Sequence, residues 1–357
     1  MSNRLGQMRA YLSQNTAKFE GFFVTKPENR GYLSGFNGSS GYLLITSQDA
    51  VLFTDNRYTE QAAAQAPGWT IVRLQRPFET SIIAELKRLN VARLAFEAEH
   101  LSVAEYNHWK GKLPGTAWVA TQGVISKLRQ RKDAAELEII RQAIQIADAA
   151  FKDILSVIKP GLTEREVAAE LEYAMRKHGA DAIAFDTIIA SGWRGALPHG
   201  RASDKIIAAG EMITLDFGAR YEDYNSDITR TVIIGKPTDR QREVYDLVLK
   251  SQMAGCEAVR PGATCSTVDG ISRKLFEEAG VLENYKHSLG HNLGREVHES
   301  PFLTPTDDSI LEAGMVLTVE PGLYFSDWGG VRIEDDLLVT ANGAEILSRS
   351  PKELIVL

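Results

Sequence analysis

Cysteine is nearly absent from this chain, with only Cys256 and Cys265 among 357 residues. Two residues without Cys-x-x-Cys spacing cannot make a disulfide framework, so both read as small buried apolar side chains and neither as a nucleophile. Long hydrophobic runs are also missing. No stretch has enough consecutive apolar residues to span a bilayer, and Met1 to Ala10 has no apolar core of signal-peptide type. A cytoplasmic protein with no membrane partner is therefore expected. Nor is there a basic excess. The net charge of −7 argues against a nucleic-acid partner, because neutralising phosphates takes concentrated Lys and Arg. The one dense basic run, Lys127 to Lys132, reads as a solvated linker. Hydrophobic residues at 44% and charged residues at 24% are ordinary for a folded enzyme, which leaves no disordered or low-complexity class to consider.

At 357 residues the chain is long enough for two hydrophobic cores, and two domains are expected. From Phe22 to about Ile125, apolar runs (Phe22 to Val24, Tyr42 to Ile45, Val51 to Phe53) alternate with helical stretches such as Thr80 to Leu89. The pattern predicts an α/β domain over residues 1–128. Within it, Gly38-Ser39-Ser40-Gly41 lacks the spacing of a phosphate loop and reads as a strand-to-strand turn. Asp133-Ala134-Ala135-Glu136 then has the form of a capping box opening a helix that runs to Ile158. A second domain is placed at 129–357.

That second domain repeats itself. Ala209 to Gly218 aligns with Ala313 to Gly322 at a constant spacing of 104 positions, and each apolar run ends in a carboxylate, Asp216 or Glu320. Beyond them Asp227 aligns with Glu334, 107 positions on, each beside a strand-like stretch, Ile228 to Ile234 and Leu337 to Thr340. Upstream, Lys159-Pro160-Gly161-Leu162-Thr163 matches Arg260-Pro261-Gly262-Ala263-Thr264, each between two helices. Two helix, helix, strand, strand units packed as a pair would make one curved antiparallel sheet with helices outside and a crevice between the halves.

Four carboxylates set among apolar neighbours would be costly to bury as bare charges and would repel one another, and divalent cations remove both costs. Alternation along adjacent strands lets Asp216 with Asp227, and Glu320 with Glu334, converge on that crevice. A nitrogen ligand is sought in His287 to His298, where three of the seven histidines lie. An oxygen-rich set with one imidazole suits Mn²⁺, with Co²⁺, Zn²⁺ and Fe²⁺ as alternatives.

These residues resemble the pita-bread metallopeptidases, the family that includes aminopeptidase P, prolidase and methionine aminopeptidase. The motifs are Pro198-His199-Gly200, Leu215-Asp216-Phe217-Gly218, Ser226 to Arg230, His287 to His298, Val319-Glu320-Pro321-Gly322 and Val331-Arg332-Ile333-Glu334. The resemblance covers nearly the whole chain. It implies an amino-terminal creatinase-like α/β domain followed by a duplicated pita-bread domain. It further implies that Asp216 chelates one ion, that His291 and Glu320 bind a second, and that Asp227 and Glu334 bridge them. Glu320 would shuttle a proton, while His199 and His298 would contact the scissile carbonyl. His287, Arg332 and Tyr324 would line the proline side. Tyr32 to Phe36 and Thr54 to Tyr58 look like the amino domains of aminopeptidase P proteins, and methionine aminopeptidases lack such a domain. Prolidases carry an Arg for the dipeptide carboxylate where this chain has Phe302. That difference tilts the expectation toward a Xaa-Pro aminopeptidase over a Xaa-Pro dipeptidase, since a desolvated carboxylate needs a partner. Arg57 of a neighbouring subunit could serve instead, and a homodimer is implied by resemblance. Metal-free creatinase-type amidinohydrolases and non-catalytic peptide-binding relatives share the fold but lose ligands. Here all five positions are filled.

Overall fold

The computed structural model describes residues 4–357. The chain divides into two compact units, one up to Arg129 and one from Gln130. In the first, six strands lie in the order Thr70–Arg73, Ala50–Thr54, Tyr42–Thr46, Gly21–Val24, Arg93–Glu97, Ala117–Thr121. The two central hairpin-like pairings are antiparallel and the outer ones parallel. Side chains alternate across this sheet. Phe22, Val24, Leu43, Ile45 and Leu52 pack on one face with Met8, Leu12 and Ile125. Phe23, Leu44, Val51 and Phe53 pack on the other with Ile82, Leu86 and Trp109. A sheet buried on both faces needs continuous apolar runs rather than alternating ones, which is what the sequence has.

Gly38 to Gly41 does not join two strands. It leads from the helix Pro27–Ser34 into the strand Tyr42–Thr46, and the carbonyls of Gly38 and Gly41 accept from the buried guanidinium of Arg30. The basic run also departs from its reading as a solvated linker, because two of its charges are buried and paired. Arg129 donates to Asn29 Oδ1, and Lys132 Nζ donates to Asn292 Oδ1 at 2.7 Å and lies 3.5 Å from Glu299.

In the second unit, Asp133 caps the helix Ala134–Ile154 through the reciprocal pair with Glu136. The helix stops short of Ile158, where a turn leads into Pro160 and Gly161. The halves then run in parallel. The first has helices Ala134–Ile154 and Glu164–Lys177 and strands Ile188–Ser191, Met212–Phe217 and Ile228–Ile233. The second has helices Asp239–Ala258 and Cys265–Glu278 and strands Gly290–Asn292, Val316–Val319 and Asp335–Val339. Each half therefore has one strand more than the repeat alone suggested. The duplication reaches single hydrogen bonds. Thr163 bridges Ile206 as Thr264 bridges Ile310, and the N–H groups of Gly161 and Gly262 donate to Ile207 and Leu311. The strands hydrogen-bond as a four-stranded and a five-stranded sheet, joined where Glu334 N–H donates to Thr229 O and Thr231 Oγ1 donates to Arg332 O. One face of the first sheet (Ile213, Leu215, Phe217, Ile228, Val232) packs on the helices with Phe151, Val167 and Leu171. Burying such a side chain contributes about 1.5–3 kcal/mol. The opposite face is free to carry polar groups. Among the described residues no helix is long and apolar enough to cross a membrane.

Candidate active site

With Leu215 and Phe217 turned to the helices, strand alternation sends Thr214 and Asp216 to the inner face, where Asp216 pairs across the ladder with Thr229. In the second half Thr318 and Glu320 repeat the arrangement, with Leu317 and Val319 in the core. Glu320 sits one residue beyond its strand, and its N–H donates to Leu289 O at 2.8 Å. Asp227 and Glu334 each precede the next strand. Close backbone approach at two glycines permits this. A Cβ on Gly218 would lie 1.9 Å from Ser226 O, and one on Gly290 would lie 2.0 Å from Thr318 O.

These side chains line a cavity of about 590 Å³ that includes Asp216, Asp227, His287, His291, His298, His199, Glu320, Arg332 and Glu334. Asp227, His291 and Glu334 offer ligand atoms that all lie within 4.8 Å of one another. His291 Nε2 lies 3.4 Å from Glu320 and 3.6 Å from Asp227, while Nδ1 faces Asn292 O. Burial, then the neighbouring His298, lowers the His291 pKa to about 3, which keeps the neutral imidazole that binds metals. Burial raises Asp227 well above the carboxylate range, with further upward pressure from Glu334, Asp216 and Glu320. Glu334 is raised by burial and then by Glu320 and Asp216. Glu320 is pushed to about 8 by burial, against the pull of Arg332. Asp216 Oδ1 and Glu334 Oε1 are buried with no hydrogen-bond partner. Mutually repelling acids with unpaired buried oxygens beside a neutral imidazole are fitted to divalent cations, which would satisfy the oxygens and cancel the repulsion.

A second chain of contacts borders the acids. Arg332 donates to Asp216 Oδ2 at 2.5 Å, to Tyr324 OH at 2.8 Å, to Thr229 Oγ1 at 3.1 Å and to Pro198 O at 3.2 Å. The Tyr324 hydroxyl is 2.8 Å from His287 Nε2, and His287 Nδ1 is 2.7 Å from Ser288 O. Burial, then the Arg332 charge, lowers the His287 pKa to about 4. The imidazole is thus neutral, donating from Nδ1 and accepting from Tyr324. Both ring nitrogens are engaged within the protein. His298 packs edge-on to His291 at 4.4 Å between centroids.

Phe302 lines the same cavity and is the cross-strand partner of His291. Arg57 is not among the lining residues. It belongs to the amino-terminal unit, where it pairs with Asp55 at 2.8 Å. Sequence reasoning missed Thr229, whose hydroxyl donates to Glu334 Oε2 at 2.6 Å while accepting from Arg332. It also missed Thr318, which accepts from His291 N–H and donates to Glu320, and Asp336, which accepts from Asp227 N–H at 3.1 Å. Thr229 lies inside the Ser226 to Arg230 motif, but a hydroxyl's partners are not written in its neighbours.

Known proteins resemble this chain along its length. Residues 138–341 match metallopeptidase family M24, and residues 4–131 match the creatinase/prolidase N-terminal domain. The chain is 40% identical to the Xaa-Pro dipeptidase of Pyrococcus furiosus over 99% of its own length and 100% of that protein. Its fold superposes on a Xaa-Pro dipeptidase from Bacillus anthracis with a TM-score of 0.96 at 42% identity, covering 99% of each chain. It superposes on an X-Pro aminopeptidase from Thermotoga maritima with a TM-score of 0.90 at 37% identity, covering 98% of this chain and 99% of that one. The paired acids, the buried imidazole and the two matched segments together make this chain a member of metallopeptidase family M24, with a creatinase/prolidase-type domain at its amino end.

Proposed function

We propose that the protein hydrolyses the peptide bond before proline in Xaa-Pro dipeptides, with two divalent ions, Mn²⁺ foremost, held by Asp216, Asp227, His291, Glu320 and Glu334. The observation that carries this reading is the convergence of the buried acids with His291 on one cavity. In this reading Asp216, Asp227, His291, Glu320 and Glu334 would hold the ions, which when bound would acidify a water toward neutrality. Glu320 accepts a proton from the attacking water and delivers it to the proline nitrogen as the C–N bond breaks. His199 and His298 donate to the carbonyl oxygen as charge develops on it. Tyr324 and Arg332 fix the His287 ring beside the proline. The substrates are small peptides, and the two free buried cysteines are consistent with a reducing cytoplasm. A homodimer is the assembly we expect.

The sequence alone favoured an aminopeptidase acting on longer peptides. The dipeptidase names of the relatives favour the dipeptide instead. The aminopeptidase remains the second reading because Phe302 stands in the cavity wall, 38% exposed, where the prolidases this chain resembles carry a carboxylate-binding Arg. Turnover of Xaa-Pro dipeptides and Xaa-Pro-Xaa tripeptides by the Mn²⁺-loaded protein separates the two. Preference for dipeptides supports the proposal, and equal or faster cleavage of tripeptides replaces it with the second reading. Glu320→Ala should lower kcat by at least about 100-fold, the usual scale for loss of a proton-transfer group. Unchanged turnover would refute the mechanism.

A further inference from the structure

A dipeptide ends in a carboxylate close to the bond being cut, and a cavity rich in acids repels it unless a cation answers it. Among the described residues lining the cavity, two bear a permanent positive charge, Arg201 and Arg332. Arg332 is buried and already spent on Asp216, Tyr324, Thr229 and Pro198. Its charge is balanced by Asp216 at 2.5 Å. Arg201 is different. Its side chain is 76% exposed, and its partner there is Asp186, at 2.9 Å and itself 62% exposed. An ion pair in that much water is held weakly and exchanges readily for another carboxylate.

The backbone beneath Arg201 is fixed. Its N–H donates to His199 O at 2.9 Å, and its carbonyl accepts from Arg194 at 2.9 Å. The exposed guanidinium thus stands on a fixed backbone, two residues from His199. On the dipeptidase reading above, we propose that Arg201 binds the substrate's C-terminal carboxylate, in place of the arginine that the chain lacks at Phe302. Asp186 holds the guanidinium over the cavity until substrate arrives, and the bidentate geometry of an Arg–carboxylate pair then sets where the proline end stops. A longer peptide has no carboxylate at that point, so Arg201 would be the residue that selects for length.

The test compares kcat/KM for a Xaa-Pro dipeptide and for its C-terminal amide, in the Mn²⁺-loaded native protein and in Arg201→Leu. The native protein should prefer the dipeptide by about 2- to 5-fold, the scale of a solvent-exposed ion pair. Arg201→Leu should erase most of that ratio through KM rather than kcat, and Arg201→Lys should keep part of it. If Arg201→Leu does not fold, Arg201→Gln carries the same comparison. A variant that retains the native dipeptide-to-amide ratio overturns the assignment while leaving the dipeptidase reading intact. A native protein that shows no preference for the free carboxylate and cleaves tripeptides equally well removes the dipeptidase reading, and the role of Arg201 with it.

Discussion

Replacing Thr229 by valine isolates one hydroxyl that no ligand-by-ligand account of the site includes. Thr229 is fully buried, and valine has nearly its shape, so packing is preserved while two contacts go. The hydroxyl donates to Glu334 Oε2 at 2.6 Å and accepts from Arg332 Nε at 3.1 Å. The bond from the charged Arg332 contributes about 1.5–3 kcal/mol and that to the raised-pKa Glu334 about 0.5–1.5 kcal/mol, and two sharing one hydroxyl are not additive, so a loss of about 2–3 kcal/mol in the ion-free protein is expected. Because Glu334 Oε1 already lacks a partner, the variant leaves that carboxylate with no hydrogen bond from protein. The Thr229 contact is one of the two influences that lower the Glu334 pKa, so removing it makes the proton harder to displace. Mn²⁺ affinity should fall about 10- to 100-fold, as for other residues that orient metal ligands. The loss should be larger at pH 6 than at pH 8, because ions compete with that proton. Calorimetric Mn²⁺ titration at the two pH values, with thermal melting of the ion-free protein, measures both effects. Native affinity at both values would refute the idea that Thr229 tunes Glu334.

Three further outcomes follow from the geometry. In ion-free protein Asp227, Glu320 and Glu334 have folded pKa values above their unfolded ones. Their contribution is fully present below about pH 4, the unfolded carboxylate range, and is lost as pH rises toward the folded value of about 8 for Glu320. Ion-free protein should therefore melt lower at pH 8 than at pH 5.5, with Mn²⁺ closing the gap, and a melting temperature that rises over that interval would contradict the assignment. Gly218→Ala places a methyl 1.9 Å from Ser226 O and should cost at least about 1–3 kcal/mol, read as a lowered denaturation midpoint. In the amino-terminal unit, Phe23 is buried among Tyr42, Trp109 and Trp118, with centroids 5.4, 5.5 and 6.1 Å away. Phe23→Ala should destabilise that unit by about 3–5 kcal/mol in denaturant titration followed by tryptophan fluorescence, and a loss below about 1 kcal/mol would mean the cluster relaxes around the gap.

The acids of the site were legible because duplication wrote each of them twice. Asp216 and Glu320 end matching apolar runs, and a chance carboxylate has no such counterpart. The capping box at Asp133 was legible because its partners are three residues apart. What escaped were interactions between residues distant in sequence. Thr229 and Glu334 lie 105 positions apart, and Asp227 and Asp336 lie 109 apart. His287 lines the cavity, but only the fold shows that Tyr324 and Ser288 occupy both its nitrogens. Lys132 and Arg129 looked solvated because charges usually are, and the burial of each depends on an asparagine far along the chain.

The split of the ligand set between the halves has a mechanical consequence. Asp216 and Asp227 belong to the first half, and His291, Glu320 and Glu334 to the second. On the ligand set proposed above, neither half alone would have enough donors for a pair of ions, and any opening that parts the two halves would release them. The free-energy cost of that opening would grow with the logarithm of ion concentration, whereas opening that leaves the proposed ligands in place would feel no such term. Amide hydrogens at the seam, such as those of Glu334 and Asp227, would then exchange at rates set by the ion concentration, while those in the outer helices keep their own pace. The ions would act as a rivet through the repeat, turning two similar halves into one cooperative body.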